Sequence, residues 1–550
     1  MITKHIWMFL VILVIFISCT KSSENFKSFS KKKLRILGVF HHPGKSHFDV
    51  FKPLLEELAK RGHDITVVSF FPRNINDTSV EYLSNYKDIS LIGSVNVWLN
   101  VVDLNMINYS FLNHFLELFK LREWGLQHCE ATLNLPDVQK LIHSNNEKFD
   151  LILTENFNSD CFLGFVYKFS TPFIALTSHQ IMPWGYDRMG SPDNPSYISS
   201  TFLGLSSKMN FQERVINTIF TNVAKLIYNT AYQWSTQKIV NDAFGVNIPS
   251  LNEIARQTSG YLHNTHYSLH GSKPTAPNVV EIGGIHIGKA KSLPEDIKRF
   301  LDDANEGALL FSWGSMVRAS TLPKEKLMAI LQVLSNIPRK VIWKWETDQL
   351  PEKPKNVMIT KWLPQYDVMN HPNVKAYLSH GGLLGLTEGV YVGLPMVIVP
   401  MYGDQFHNAA VAAARGAAVI VRYDELDEIT LKSALDKVFN DTSYQENARA
   451  LSRAYRDRPA SPLETAVWWS EFIARGNGRR YLRSEGADLP WYQYYLLDVF
   501  LFLAVVLLTA FYVTYRLMKF LLFLCCSRKS SKTIHPIHTN GKQKEKRKNE

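Results

Sequence analysis

Short apolar runs alternate with amphipathic stretches along most of this chain. "LRILGVF" (residues 34–40) is an apolar run of strand length, followed by a loop, "HHPGKSHF". In "FDVFKPLLEELAKRG" the residues Val50, Leu54, Leu55 and Leu58 fall on one helical face, with Gly62 as a stop. "HDITVVSFF" then reads as a strand. Strand, loop, helix and strand in that order open a parallel α/β sheet. "FDLILTE" and "FIALTS" are further strands of the buried type. A second series begins near "VVEIGGI" and continues through "GALLFSWGS", "VIWKW", "NVMITKWL", "VKAYLSHGG", "PMVIVP" and "AAVIV". Two successive series predict an α/β protein with two doubly wound domains and a boundary near Ile285.

The ends follow a different pattern. Lys4 and His5 precede an apolar run, Ile6 to Ile17, and then the small residues Ser18, Cys19 and Thr20, which predicts a signal peptide over residues 1–20. Val499 to Tyr515 carries no charge and is long enough to cross a bilayer. Trp491, Tyr492, Tyr494 and Tyr495 stand before it as an aromatic belt; Arg516, Lys519, Arg528 and Lys529 come after it. The expected order is therefore a body in residues 21–475, a juxtamembrane segment 476–495, a transmembrane helix 496–518 and a cytoplasmic basic tail 519–550. Lys546 and Lys548 resemble a dilysine retrieval signal, which points to the endoplasmic reticulum membrane with a lumenal body.

Composition narrows the classes. Hydrophobic residues make up 46% and charged residues 20%, a globular balance. The net charge of +11 is concentrated in "SKKKLR" and the C-terminal "GKQKEKRKNE". No Lys/Arg stripe with interleaved aromatics runs through the body, so no nucleic-acid partner is expected. Of five cysteines, Cys129 and Cys161 lie in the body and can form one disulfide; Cys525 and Cys526 come after the span. Sequons at Asn76, Asn108 and Asn440 suit a lumenal location.

The chemistry concentrates around "LSHGGLLGLTEGV". A strand runs into His380, Gly381 and Gly382, and a helix carrying Gly385 and Glu388 comes next. Ligands of open α/β sheets bind at the carboxyl ends of strands, and a helix N-terminus offers free N–H groups to phosphate. The glycines leave the backbone open to close approach. "WLPQ" places Trp362 as a stacking surface and Gln365 as a polar reader. "MYGDQ" places Asp404 and Gln405 where sugar hydroxyls can be gripped. A base platform, phosphate cradle, ribose acceptor and sugar clamp in chain order are the parts a nucleotide-sugar needs.

The stretch from Trp362 to Gln405 resembles the signature of the UDP-glycosyltransferases, membrane-bound enzymes that conjugate small lipophilic molecules. The likeness extends through "FSWGSMV", "VVEIGG", "GKSHFDVFKPLLEELAKRGHDITVVS" and "LDVFLFL", and the wording is closer to arthropod members. The resemblance implies the GT-B fold: two Rossmann-like domains facing across a cleft, with acceptor binding in 21–285 and UDP-sugar binding in 286–475. It implies that Trp362 stacks on uracil, Gln365 contacts uridine, Ser315 and His380 hold the diphosphate, Glu388 binds ribose, and Asp404 and Gln405 hold the sugar. His47 takes the part of the catalytic base, ahead of His41 and His42. Its carboxylate partner is Glu155 or Asp160. Leu384 departs from the asparagine of many vertebrate members. The segment from Ala460 to Arg483 is expected to cross back and brace the first domain, and "SHQIMPWGYDRMGSPDNPSYI" to line an apolar acceptor cavity.

The implied reaction is inverting transfer of a hexose, with no metal and no cofactor beyond the UDP-sugar co-substrate, in a detoxifying or conjugating role. No signature arginine stands ready for a uronate carboxylate, which leans the donor toward UDP-glucose over UDP-glucuronate. A homo-oligomer stays open. Two other readings compete. A P-loop needs four residues between its glycines, and Gly38 and Gly44 enclose five (Val39 to Pro43). A catalytically silent, membrane-tethered binding protein would keep the fold and lose the acid/base pair.

Overall fold

The computed structural model describes residues 32–74, 83–107, 110–476 and 479–530. The expected signal peptide, Asn76, Asn108, Lys546 and Lys548 lie outside the described residues. Residues up to Ala487 form one compact unit, and Asp488 onward a second.

Two all-parallel sheets build the first unit. One has the order β3-β2-β1-β4-β5-β6-β7. Its strands are β1 (Arg35–Val39), β2 (Asp64–Ser69), β3 (Tyr86–Ser90), β4 (Leu151–Glu155), β5 (Phe173–Thr177), β6 (Gly260–His263) and β7 (Val279–Glu281). The other has the order β10-β9-β8-β11-β12-β13. Its strands are β8 (Ala308–Ser312), β9 (Lys340–Lys344), β10 (Val357–Thr360), β11 (Val374–Ser379), β12 (Met396–Ile398) and β13 (Ala418–Ile420). Strands β4, β5 and β8 are buried at every position, which is why they read as continuous apolar runs rather than alternating ones. Both sheets reverse their strand order beside the first strand, between β1 and β4 and between β8 and β11. A crevice opens at each such reversal, past the carboxyl ends of the strands.

"VVEIGGI" was expected to start the second series. Instead β7 closes the edge of the first sheet, with Tyr261, Leu262 and His263 of β6 paired to Val279, Val280 and Glu281. A three-residue edge strand carries no pattern that names its sheet; only its hydrogen-bond partners do.

Seven helices position the site, brace it or anchor the chain: α1 (Lys45–Lys60), α2 (Phe111–Leu133), α3 (Gln365–Met369), α4 (Leu383–Val392), α5 (Gln405–Ala414), α6 (Pro462–Arg475) and α7 (Leu497–Ser530). Helix α1 begins earlier than its apolar spacing suggests, inside the expected loop. Gly44 is its N-cap, in extended conformation, and its carbonyl accepts from the N–H groups of His47 and Phe48. His47 is therefore a first-turn residue rather than a loop residue. Helix α6 returns to the first domain: Ala466, Val467 and Ile473 are buried with Phe51, Leu54 and Leu58 of α1. Arg61 donates to Glu464 at 2.6 Å, and the His63 ring lies 3.2 Å from Glu471.

Most of the "SHQIMPWGYDRMGSPDNPSYI" segment is packed: Trp184 is 2% exposed and stacks on Tyr228 at 4.4 Å, with Met182 in the same cluster. Its Gln180, Ile181 and Tyr186 do line a cavity of about 210 Å³, but His263, Lys273 and Glu281 share the lining, so that cavity is not the apolar one expected. Apolar content in a long loop signals burial, and here neighbouring helices take up the space.

The second unit contains α7, of which Leu497–Ser527 is long and apolar enough to cross a membrane. In the first unit, Cys129 of α2 and Cys161 beyond β4 form a disulfide that closes a separation of 32 residues. By loop-entropy reasoning such a link stabilises by about 3–4 kcal/mol. The double variant Cys129→Ala/Cys161→Ala is expected to lose about that much, read as a lowered thermal midpoint of the solubilised protein; an unchanged midpoint would contradict it.

Candidate active site

At the first crevice, β1 leads through Phe40 to Gly44 into α1, and β4 ends at Glu155. Pairing of Ile36 to Val39 with Leu151 to Thr154 sets these two ends side by side. His47 Nδ1 lies 2.5 Å from Glu155 Oε1. The His47 side chain is 17% exposed and that of Glu155 1%, so the ring's other nitrogen is reachable from the cleft while the carboxylate is not. A buried carboxylate at Nδ1 fixes the tautomer with Nε2 free to accept, and stabilises the imidazolium once a proton arrives.

Asp160, the other candidate partner, is engaged elsewhere. It takes two hydrogen bonds from Arg188, at 3.1 and 2.9 Å, and one from Gln233 at 2.5 Å, all buried. Among the described residues neither rival histidine hydrogen-bonds to a carboxylate, though His41 feels the charge of Asp160. The His42 ring lies tilted 4.1 Å from that of His47, and burial together with four neighbouring imidazoles holds its pKa well down. Burial lowers His41 and His128 to about 4 and His179 to about 3, so all four rings are neutral at pH 7. Phe157 stands 4.8 Å from His47, Trp98 5.0 Å from His42, and Trp124 4.9 Å from Trp98. The wall around His47 is aromatic.

At the second crevice β11 ends at Ser379 and the chain turns through His380, Gly381 and Gly382 into α4. Gly381 has φ of +87°, and a side chain there would press on the Gln405 backbone and Ile398. Gly382 has a different use from the one its sequence suggests: the space a Cβ would fill is occupied by the His380 ring, which Gly314 borders from the other side. Gly385 likewise makes room for Tyr377 Oη and Gln365 Nε2. The glycines thus seat side chains as well as leaving backbone accessible. Burial, helped by Lys344, lowers His380 to about 3. The ring is neutral and offers a hydrogen bond rather than a charge; its Nδ1 is buried without a partner among the described residues.

Gln365, the first residue of α3, donates to Glu388 Oε2 at 2.6 Å. Burial pushes Glu388 up to about 7. Trp362 is 59% exposed, with an open face, and Lys45 of α1 stands 6.0 Å from its ring. Asp404 accepts from Asn408 at 2.9 Å; burial raises it while His47 across the cleft lowers it. Gln405 is buried, and its Oε1 accepts from Met401 N at 2.9 Å, so only its amide nitrogen remains for a ligand.

The domains are laced together at the cleft. Asn100 N donates to Ser315 O at 2.8 Å, and Val102 and Asp103 pair in parallel with Val317 and Arg318. Thus Ser315 is held by the first domain. His407 of α5 meets Gln180 at 2.9 Å and the Leu205 carbonyl at 3.0 Å. Glu117 of α2 accepts from Gly403 N at 3.1 Å. Leu384 packs against the first domain's apolar cluster, a use for leucine at that position. Lys45, Asn408 and Glu117 were not foreseen, because nothing local in their sequence links them to the motifs they touch.

A family model described as UDP-glucoronosyl and UDP-glucosyl transferase matches residues 40–532. The chain belongs to the UDP-glycosyltransferase family. A UDP-glycosyltransferase, UGT5, from Dactylopius coccus is 38% identical over 500 residues, covering 90% of this chain and 93% of that protein. UDP-glucuronosyltransferase 1A10 from Homo sapiens is 31% identical over 483 residues, covering 86% and 89%. Among solved structures, the glycosyltransferase VinC in complex with dTDP aligns with a TM-score of 0.54 at 16% identity, covering 81% of this chain and all of that one; CalG4, the calicheamicin glycosyltransferase, gives 0.53 at 17%, with the same coverage. These likenesses match the GT-B fold of two Rossmann-like domains. The protein is a hexosyltransferase that uses a UDP-sugar as co-substrate and an acceptor molecule.

Two substitutions separate the carboxylates. Glu155→Gln is expected to cut transfer at least ~100-fold in folded enzyme, the scale of a lost acid/base partner. Asp160→Asn leaves Arg188 buried without its counter-charge, a change worth about 3–5 kcal/mol, and is expected to show as lost stability with turnover per folded molecule largely kept. The reverse pattern in rate and melting measurements would contradict both assignments.

Proposed function

We propose that this enzyme transfers glucose from UDP-glucose, with inversion, to a hydroxyl of a small lipophilic acceptor carrying an aromatic ring, and that His47 is its base. The observation that carries this reading is the 2.5 Å His47–Glu155 contact at one crevice, facing the Asp404 loop of the other. His47 Nε2 removes the acceptor proton as that oxygen attacks the anomeric carbon, and Glu155 stabilises the resulting imidazolium. UDP leaves from the opposite face of the sugar. Its growing charge is met by the N–H groups at the start of α4 and a ring N–H of His380, without a metal. Trp362 stacks on uracil beside Gln365, Glu388 accepts from the ribose, and Asp404 with the Gln405 amide holds sugar hydroxyls.

Phe157, Trp98 and Trp124 favour flat aromatic acceptors, since ring edges and faces pair well at these separations. Residues 21–285 form the acceptor side and 286–475 the donor side in this reading. The enzyme resides in the endoplasmic reticulum membrane as a single-pass protein with its body lumenal, and serves conjugation of lipophilic compounds. Asn440, at an exposed helix end, is an available glycosylation site.

The test is transfer from UDP-glucose, UDP-glucuronate and UDP-N-acetylglucosamine to a panel of phenols, in microsomes carrying wild type or His47→Ala. Product from UDP-glucose that falls at least ~100-fold in the variant, with UDP binding retained, is expected. Equal turnover by the variant would remove His47 from the mechanism. UDP binding without transfer from any donor would favour a silent binding protein.

A further inference from the structure

The sugar end of the donor site draws a residue from the acceptor domain. Glu117 lies in the second turn of α2, and its Oε1 takes the Gly403 N–H immediately before Asp404. Its Oε2 is buried with no hydrogen-bond partner among the described residues. Holding one backbone N–H requires only a neutral carbonyl oxygen, such as glutamine supplies. A second buried carboxylate oxygen is costly to leave unpaired, and packing alone gives no reason for it. Asp404 stands next to it with Oδ2 committed to Asn408. Two carboxyl groups, one from each domain, therefore share the wall assigned to the hexose.

The groups facing Glu117 are few. Asp404 repels its charge, while the Gly403 N–H and Lys120, an exposed residue one turn later on α2, favour it. Tyr402 on the same loop feels both carboxyls. His114, one turn earlier, packs on Phe406 at 5.2 Å, and burial lowers its pKa. Burial is the largest influence on Glu117 and pushes it up to about 7. It is thus largely neutral at pH 6 and charged at pH 8.

We propose that Glu117 is a donor-specificity residue: with Asp404 it makes the sugar pocket an anionic filter that admits the neutral hydroxymethyl group of a hexose and rejects the carboxylate of a uronate. Asp404 grips hydroxyls that both donors share, so it cannot by itself tell them apart. Glu117 adds a negative charge without adding a needed hydrogen bond, and like charges in a poorly solvated pocket repel strongly. The inference rests on the UDP-hexose reading of the donor site and adds the residue that enforces it.

The test is the ratio of kcat/KM for UDP-glucose to that for UDP-glucuronate, measured from pH 6 to 8.5 on the full-length membrane enzyme. Groups that serve both donors, Glu388 among them, affect both rates alike and cancel in the ratio. In wild type the ratio is expected to rise about tenfold across this range as Glu117 ionises. In Glu117→Gln, which keeps the acceptor for Gly403 N–H, the ratio should fall at least tenfold at pH 8 and lose its pH dependence. Glu117→Asp, which keeps the charge, should retain discrimination. An unchanged ratio in Glu117→Gln, including an equal loss with both donors, would overturn the proposal and leave Glu117 as an anchor of the Gly403 loop. Wild type that transfers neither sugar would instead overturn the underlying reading, and the inference with it.

Discussion

A carboxylate buried at the end of one strand and an imidazole at the start of the helix after another form the contact on which this site is organised. Glu155 and His47 are 108 residues apart in the chain, yet their atoms meet at 2.5 Å. The order β2-β1-β4-β5 achieves this, since it makes β1 and β4 direct neighbours whose connecting chains leave toward opposite faces. A carboxylate as enclosed as Glu155 is tolerable only with a partner of matching chemistry. The same enclosure aligns the ring and leaves its far nitrogen facing the cleft. The remaining histidines of the cluster, held neutral by burial, shape the wall without competing for the proton.

The second crevice repeats the topology with different chemistry. Where the first presents an imidazole held by a carboxylate, the second presents hydrogen-bond donors: the start of α4 and a neutral His380 seated between Gly314 and Gly382. The two crevices are kept in register by contacts that cross the cleft. The Val102–Val317 pairing, the His407–Gln180 contact and the Glu117–Gly403 hydrogen bond each join the first domain to the second beside Ser315 or Asp404. Helix α6 adds a second crossing of the chain and packs against α1, the helix that bears His47. Positioning of His47 against the Asp404 loop is therefore a property of the assembled pair of domains.

Much of this was legible in the sequence, and what was not has a physical cause. Two series of strands and helices follow from hydrophobic periodicity, which is local. The motifs that carry Trp362, Gln365, His380, Glu388 and Asp404 read in chain order because they follow three successive strands of one sheet. The choice between Glu155 and Asp160 was not readable: Glu155 ends β4 and Asp160 lies five residues on, yet they point to different partners, and it is Arg188 and Gln233, brought in by packing, that claim Asp160. The sheet that owns β7 depends on hydrogen bonds to Gly260–His263. The seating of His380 and Gln365 against missing Cβ atoms depends on three-dimensional proximity. Lys45 and Glu117 act across the cleft, where sequence distance carries no signal.

The central claim is a single in-line displacement by an acceptor oxygen that His47 deprotonates, with UDP leaving on the other face. The most direct measurement is the anomeric configuration of the product formed from α-linked UDP-glucose, read by proton NMR on the purified glycoside. A β-glycoside is predicted, because one displacement inverts the centre. An α-glycoside would contradict the account, since retention requires a second displacement or front-side attack that a lone base at this position does not provide.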